Sequence, residues 1–347
     1  MKAFVVRGPG DAGVEYVPDA VPAPGEVLIA IRRAGICGTD AEFYSGAMQY
    51  LHDGNASYPI RLGHEWMGVV TAVADDVAPS WVGRRVTGDT MLGCGKCYRC
   101  LDGRHHVCEH RFELGIRGGK PGALAERLAY PTRYLHHLPD EVDDVSGALV
   151  EPAGNALRAV RAADLSVGDR LLVLGSGTIG LLVAMFARAA DAEVHIMGKS
   201  EDTLGFARSL GYTVWTAETL PGLPWDAVID CSNAASLPAK ALDLVEPGRR
   251  VVYVGLAGSP SLIDTRALAL KDVTAVGILG ASQALDGVID AFARGAVDPR
   301  PLVAGTVALD DVASVLAGER PSHAGSGPKI HVTVSGAPER PSERNHR

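Results

Sequence analysis

The run "LLVLGSGTIGLLVAMFA", residues 171–187, is uncharged throughout and in length approaches a membrane span. Its glycines say otherwise. Gly175, Gly177 and Gly180, with Ser and Thr between them, divide the run into strand, turn and helix. The spacing is G-x-G-x-x-G. In that spacing the first glycine permits a tight turn, the second lets the backbone approach a pyrophosphate, and the third lets helix pack on strand. Thr178 and Ile179 complete the loop, so these five residues are the candidate cofactor-binding turn.

Such a motif carries weight only when strand and helix flank it. From about Pro152 the chain supplies that context: "NALRAVRAA" reads as a helix, "DRLLVLGSG" as a strand, "TIGLLVAMFARAA" as a helix and "EVHIMG" as a strand. "SEDTLGFARSLG" follows as a helix, then "AVIDCS" and "RRVVYVG" as strands. Apolar strands alternating with amphipathic helices predict an α/β, doubly wound parallel sheet covered on both faces. The first third differs: "EVLIAIRRAGI", "MGVVTAV" and "RRVTGD", punctuated by Gly and Pro, predict a partly antiparallel β domain. After "TAVGIL" comes a helix, "ALDGVIDAFARGAV", and then a late strand, "KIHVTVS", expected to return to the first domain.

At 347 residues the chain has room for two domains. Residues 1–153 and 284–335 are expected to form the β-rich domain and 154–283 the dinucleotide domain, with a disordered tail at 336–347. A formal charge of −8 argues against nucleic acid as partner, because nonspecific affinity for phosphate backbones needs clustered Lys and Arg. The start, "MKAFVVRGPG", shows no secretory signal, so a cytoplasmic protein is expected, with neither membrane nor nucleic-acid partner.

The end of the second strand discriminates between cofactors. A carboxylate about twenty residues beyond the glycines would hold the ribose 2′-hydroxyl of NAD. In "HIMGKSEDT" that place is Gly198, followed by Lys199 and Ser200. A missing side chain backed by a cation and a hydroxyl suits a 2′-phosphate, and NADP is the expected cofactor. The alternative is NAD, with Glu201 or Asp202 performing the carboxylate's task.

Cys94, Cys97, Cys100 and Cys108 form C-x2-C-x2-C-x7-C. Four thiolates this close in sequence fill a tetrahedral zinc and leave no open position, which makes a structural site the expectation. Iron remains open on the same donors, and paired disulfides are disfavoured in a reducing compartment. His105 and His106 lie inside this stretch and are expected to be exposed loop residues. A second group lies upstream in "GICGTD" and "RLGHEWMG": Cys37, Thr39 and Asp40, then His64 and Glu65. Singly, each would pass as a packed cysteine or a hydrogen-bonded core histidine.

The order "GICGTD", "GHEWMG", the four-cysteine stretch, "LVEPAGNALRAV" and "GSGTIG" resembles the zinc-dependent medium-chain dehydrogenases, and within them the polyol and threonine dehydrogenase branch. The resemblance covers roughly residues 2–334. It implies a GroES-like catalytic domain joined to a Rossmann domain, and two zinc ions, one structural and one catalytic. Cys37 and His64 then match catalytic zinc ligands, Glu151 falls where polyol-type relatives carry a glutamate, and Glu65 is a fourth ligand or holds zinc-bound water. Asp40 matches the acceptor of the ligating histidine's hydrogen bond, and Thr39 the hydroxyl that carries the substrate proton. Glu42 departs from the pattern, since threonine-type relatives often place a histidine there. The stretch "SGAMQYLHDGNASYP" is longer than usual, with His52 and Asp53 either lining the pocket or lying on an exposed loop. Cys231, in "IDCSN", is given no chemistry.

The resemblance implies hydride transfer between a secondary alcohol and NADP, giving the ketone or the reverse. A sugar, polyol or cyclitol fits a glutamate-bearing site, and an aromatic content of 5% suits a hydrophilic substrate better than a greasy one. The rivals are a simple alcohol or threonine-like amino-alcohol dehydrogenase using NAD, and a zinc-free quinone or enoyl reductase of the same fold. A zinc-ribbon or redox-sensing module would need a basic face or a poised thiol. The partners expected are a small alcohol or ketone and further copies of the chain, as homodimer or homotetramer.

Overall fold

The G-S-G-T-I-G turn lies in the middle of a six-stranded, wholly parallel sheet. The computed structural model describes residues 1–334 and the expected tail at 336–347 lies outside the described residues. The sheet runs Thr213–Trp215, Glu193–Met197, Arg170–Leu174, Trp225–Asp230, Val245–Tyr253, Thr274–Gly277. Numbered along the chain this order is 3-2-1-4-5-6, so the connections reverse direction between Arg170–Leu174 and Trp225–Asp230. Ligands of open α/β sheets bind at such a reversal, beyond the carboxyl ends of the strands.

Leu171 to Leu174 are all fully buried. Leu171 and Val173 pack with Leu181 and Val183 on one face, while Leu172 and Leu174 pack with Met197 and Val228 on the other. That two-sided burial is why the strand reads as an unbroken apolar run, each Leu contributing about 1.5–3 kcal/mol. The helix Thr178–Ala189 is buried continuously from Gly180 to Ala187. No described helix is long and apolar enough to cross a membrane. The edge strand Thr213–Trp215 goes unpredicted because it has only three residues, the first of them exposed.

The first part of the chain forms a GroES-like domain, built on a seven-stranded sheet. Glu26–Gly35 is its centre, antiparallel to Glu65–Val73, Arg127–Pro131 and Lys329–Thr333. The late run "KIHVTVS" thus comes back beside the earliest long strand, with His331 opposite Gly35. Alternate residues of Glu26–Gly35 point inward, and Ile29 and Ile31 pack with Trp66 and Tyr130, whose rings meet edge-on at 5.2 Å.

The helix Val150–Ala163 joins the two regions. Ala153, Ala156 and Ala159 pack in the same core as Leu181 and Leu285, and Met67 and Leu138 of the other domain reach that core too. The sequence predicts this helix from Asn155. It begins more than a turn earlier because Pro152 sits within its first turn, where the missing N–H costs nothing. The early start puts Glu151 on a rigid element.

Candidate active site

Two sequence motifs, "GICGTD" and "GHEWMG", meet where the strand Glu26–Gly35 ends beside the start of Glu65–Val73. Cys37 caps the helix Gly38–Ser45, and its N–H donates to Asp40 Oδ2 at 2.8 Å. Gly63, at φ +101°, turns the chain into His64, and a Cβ there would lie 2.6 Å from the Leu124 nitrogen. Glu65 lies directly opposite Gly35, and a Cβ on Gly35 would stand 2.1 Å from Glu65 Oε2. The absent side chain is what gives the Glu65 carboxylate its room. The potential ligand atoms of Cys37, His64 and Glu65 consequently lie within 4.8 Å of one another.

His64 is buried, and burial alone would lower its pKa; the Asp40 carboxylate and the Cys37 thiol together hold it well above the usual range. The expected Asp40–His64 hydrogen bond is not formed. Asp40 Oδ1 stands 3.7 Å from His64 Nδ1, because the carboxylate's other oxygen is committed to the helix N-terminus. Both facing atoms are buried without a hydrogen-bond partner among the described residues. Glu151, on the first turn of its helix, lies outside the 4.8 Å group. Burial, opposed by His64 and reinforced by Glu65 and Asp89, pushes its carboxyl up to about 7. Asn155 Nδ2, one turn on, donates to Glu151 Oε1 at 3.2 Å.

Lys329 is the residue that sequence reasoning missed. Its Nζ donates to Glu65 Oε1 at 2.8 Å and Oε2 at 2.7 Å, and to the Ile36 carbonyl at 3.0 Å. Burial would lower its pKa, yet Glu65 and Cys37 hold it above the ordinary lysine value. The only signal in the sequence is a lysine opening the strand Lys329–Thr333, all but the last residue of which is buried.

Cys94, Cys97, Cys100 and Cys108 converge with sulfur separations of 3.9 Å (Cys94–Cys100), 3.5 Å (Cys97–Cys100) and 3.7 Å (Cys97–Cys108). Tetrahedral zinc with bonds of about 2.3 Å needs sulfurs about 3.8 Å apart, so the donors fit that ion. The backbone N–H groups of Lys96 and Cys97 lower the Cys94 thiol to about 6, whereas burial and then the neighbouring thiols push Cys100 up to about 12. A cation would let all four ionise together. The two histidines in this lobe are not exposed loop residues. His106 is buried, with Arg158 Nη2 at 3.5 Å from its Nε2, and His105 Nε2 bonds Asp89 Oδ2 at 2.7 Å. Both are drawn inward because the lobe leans on the strand end at Asp89 and on the helix bearing Glu151.

The glycine turn fits a dinucleotide. Gly175 has φ +111°, a Cβ on Gly180 would collide with the Gly175 carbonyl at 1.9 Å, and a Cβ on Gly177 would meet nothing within 4 Å. Gly177 therefore faces open space at the N-terminus of the helix Thr178–Ala189. Lys199 and Ser200 are exposed beside Gly198, and Ser200 caps the helix Glu201–Ser209 without using its hydroxyl. Glu201 pairs with Arg208 at 3.0 Å.

Thr39 is half-buried on the first turn of its helix, and Glu42 is exposed on the next, its carboxyl raised by partial burial. His52 is spent on the Gly46 carbonyl at 3.0 Å and Asp53 on the N–H groups of Asn55, so both serve the loop's own fold. Cys231 follows the strand Trp225–Asp230, with its thiol raised by burial.

Two family models match the chain. "Alcohol dehydrogenase GroES-like domain" matches residues 23–140 and "Zinc-binding dehydrogenase" matches 178–294. The L-threonine 3-dehydrogenase of Deinococcus deserti is 31% identical over 316 residues, 86% of this chain and 90% of that protein. The sorbitol dehydrogenase of Halalkalibacterium halodurans is 31% identical over 294 residues, 80% and 83% of the two chains. Among solved structures, an alcohol dehydrogenase of Escherichia coli CFT073 complexed with NADH superposes at TM-score 0.87 with 26% identity, covering 96% and 99% of the two chains. A putative zinc-binding dehydrogenase of Sinorhizobium meliloti 1021 bound to NADP gives 0.85 and 27%, covering 96% and 98%.

Proposed function

Because this chain belongs to the zinc-dependent medium-chain dehydrogenases, in their polyol and threonine dehydrogenase branch, we propose that it transfers hydride between a secondary alcohol of the sugar, polyol or cyclitol type and NADP. The observation that carries this reading is the convergence of Cys37, His64 and Glu65 within 4.8 Å, with the buried Glu151 carboxyl beside them. These four are the proposed donor set of a catalytic zinc, one thiolate, one imidazole and two carboxylates, harder than a two-cysteine site. Lys329, bonded to both oxygens of Glu65, would hold that carboxylate in place. Cys94, Cys97, Cys100 and Cys108 hold a second, structural zinc.

Zinc, when bound, supplies Lewis acidity that makes an alcohol hydroxyl easier to deprotonate, and the nicotinamide supplies the hydride acceptor. Thr39, half-buried on the first turn of the helix that Cys37 caps, relays the hydroxyl proton, accepting it as its own hydroxyl proton passes to solvent. Asp40 anchors the Cys37 end of the helix and stands behind His64. Gly175, Gly177, Thr178, Ile179 and Gly180 cradle the pyrophosphate. Gly198 leaves room at the ribose, where Lys199 and Ser200 meet the 2′-phosphate; Glu201, the alternative residue for NAD, pairs with Arg208 at the surface.

The proposed domain bounds are residues 1–153 and 284–335 for the catalytic domain and 154–283 for the nucleotide domain. The chain works in the cytoplasm as a homodimer or homotetramer. The sheet's outer strand Thr274–Gly277 is largely exposed, and Leu256, Leu262 and Leu270 around it are more than 80% exposed. A bare strand edge beside apolar side chains favours pairing with a second copy.

The test is a panel of polyols, sugars, cyclitols, simple alcohols and L-threonine, each with NADP and NAD, followed by absorbance of the reduced nicotinamide, with zinc counted per chain. Turnover of a polyhydroxylated secondary alcohol with NADP and two zinc ions is expected. Preference for L-threonine with NAD would overturn the substrate and cofactor reading, and one zinc would favour the zinc-free reductase.

A further inference from the structure

The strand end that reads the ribose is shaped by a residue outside it. Gly198 has no left-handed backbone to justify a glycine; the constraint is space. A Cβ there would lie 2.6 Å from Ser176 Oγ, 2.9 Å from Leu204 Cδ2 and 3.2 Å from Ser176 Cβ. Leu204 Cδ2 is the end of a flexible side chain and can turn aside. Ser176 cannot. It is only 8% exposed, and its hydroxyl bonds Thr203 Oγ1 at 2.7 Å, which in turn donates to the Ser200 carbonyl at 3.0 Å. The glycine turn, the strand end and the first turn of the helix Glu201–Ser209 are thereby tied through two hydroxyls.

We propose that Ser176, held by Thr203, is the specificity-determining residue of the nucleotide site: it occupies the space that any side chain at position 198 would need. A carboxylate for the ribose 2′-hydroxyl cannot be installed by changing position 198 alone. The opening left at the glycine takes a ribose phosphorylated at the 2′ position, which deepens the NADP reading above and rests on it.

A double-mutant cycle separates the two claims. Affinities of NADP and NAD are measured by calorimetry, and the unfolding midpoint by calorimetric melting, for the full chain and for Gly198→Asp, Ser176→Gly and the double variant. Gly198→Asp alone is expected to melt lower and to lose at least about tenfold in affinity for both cofactors. Adding Ser176→Gly is expected to restore the midpoint and to bind NAD at least about tenfold more tightly than Gly198→Asp alone. Gly198→Asp melting like the wild type and binding NAD as tightly as the double variant would overturn the proposal. Should the aspartate variants not fold, the same cycle with Gly198→Ala decides by melting alone: additive losses overturn it, and rescue by Ser176→Gly supports it. Equal wild-type affinity for the two cofactors would remove the NADP reading and leave the measured coupling of 176 with 198 intact.

Discussion

The molecule places two cysteine-bearing clusters in one domain, and they are held in opposite ways. The four-cysteine lobe is stitched from single-turn helices, Tyr98–Leu101 and His105–Val107, with Tyr98 and Leu101 exposed. Its donors are alike, partly exposed for the most part, and close to one another in sequence and space. The cluster around Cys37 uses unlike donors carried on a long strand and on two helices, and most of them have a partner in the protein: Lys329 for Glu65, Asn155 for Glu151, Asp40 for the Cys37 backbone. A set of identical thiolates is complete once an ion arrives, whereas donors pre-positioned by other residues can stay in place while a coordination position changes hands. The first arrangement suits a staple. The second suits a centre that must bind and release.

If this contrast is right, removing a donor has different consequences on the two sides. His64→Ala should lower kcat/KM by about 10³-fold, the size of the several kcal/mol that a Lewis acid contributes. Zinc content should fall by one and the melting temperature should change little. Retention of activity would take His64 out of the centre. Next in size is Lys329→Met, which removes the buried cation that holds both oxygens of Glu65. A cost of about 3–5 kcal/mol is expected, roughly 10 °C in melting temperature, with much of it recovered by adding Glu65→Leu. A single variant as stable as the wild type would show that the pair is no anchor. Cys100→Ser, in the lobe, should cost about 3 kcal/mol, or about 6–12 °C, and one zinc, while kcat per remaining zinc changes less than about tenfold. Loss of turnover without loss of stability would invert the comparison.

The same contrast explains what was legible in the sequence. The lobe announces itself because its donors are local, and the nucleotide turn because three glycines are spaced by backbone geometry. The second cluster is dispersed, and Cys37, His64 and Glu151 stand out only through the resemblance to a family. Lys329 belongs to it solely because Lys329–Thr333 pairs with Glu26–Gly35, a contact between the two ends of the described chain that periodicity does not encode. His106 was misjudged for a related reason: a loop histidine becomes buried when the loop folds back on the helix carrying Glu151. Ser176 reads as a turn filler until the strand end opposite is seen to need its space. Pairings distant in sequence, then, are where reading by motif fails.

The smallest predicted effect lies beside the second cluster and has no counterpart in the lobe. His331 faces Gly35 across the strand pair, two residues after Lys329; it is fully buried and neither ring nitrogen has a hydrogen-bond partner among the described residues. Burial first, then the charges of Arg33 and Lys329, hold its pKa well below the usual histidine value. The native state therefore keeps it neutral, while the unfolded chain takes a proton as pH falls through about 6.5. Its contribution is complete above that pH and is lost below it, at up to about 1.4 kcal/mol per pH unit. His331→Leu should therefore be at least as stable as the wild type at pH 8, where no hydrogen bond is forfeited, and its advantage should grow by up to about 2 kcal/mol on going to pH 5. Urea unfolding across that range at fixed zinc measures the difference. Parallel curves for the two proteins would place the acid sensitivity elsewhere.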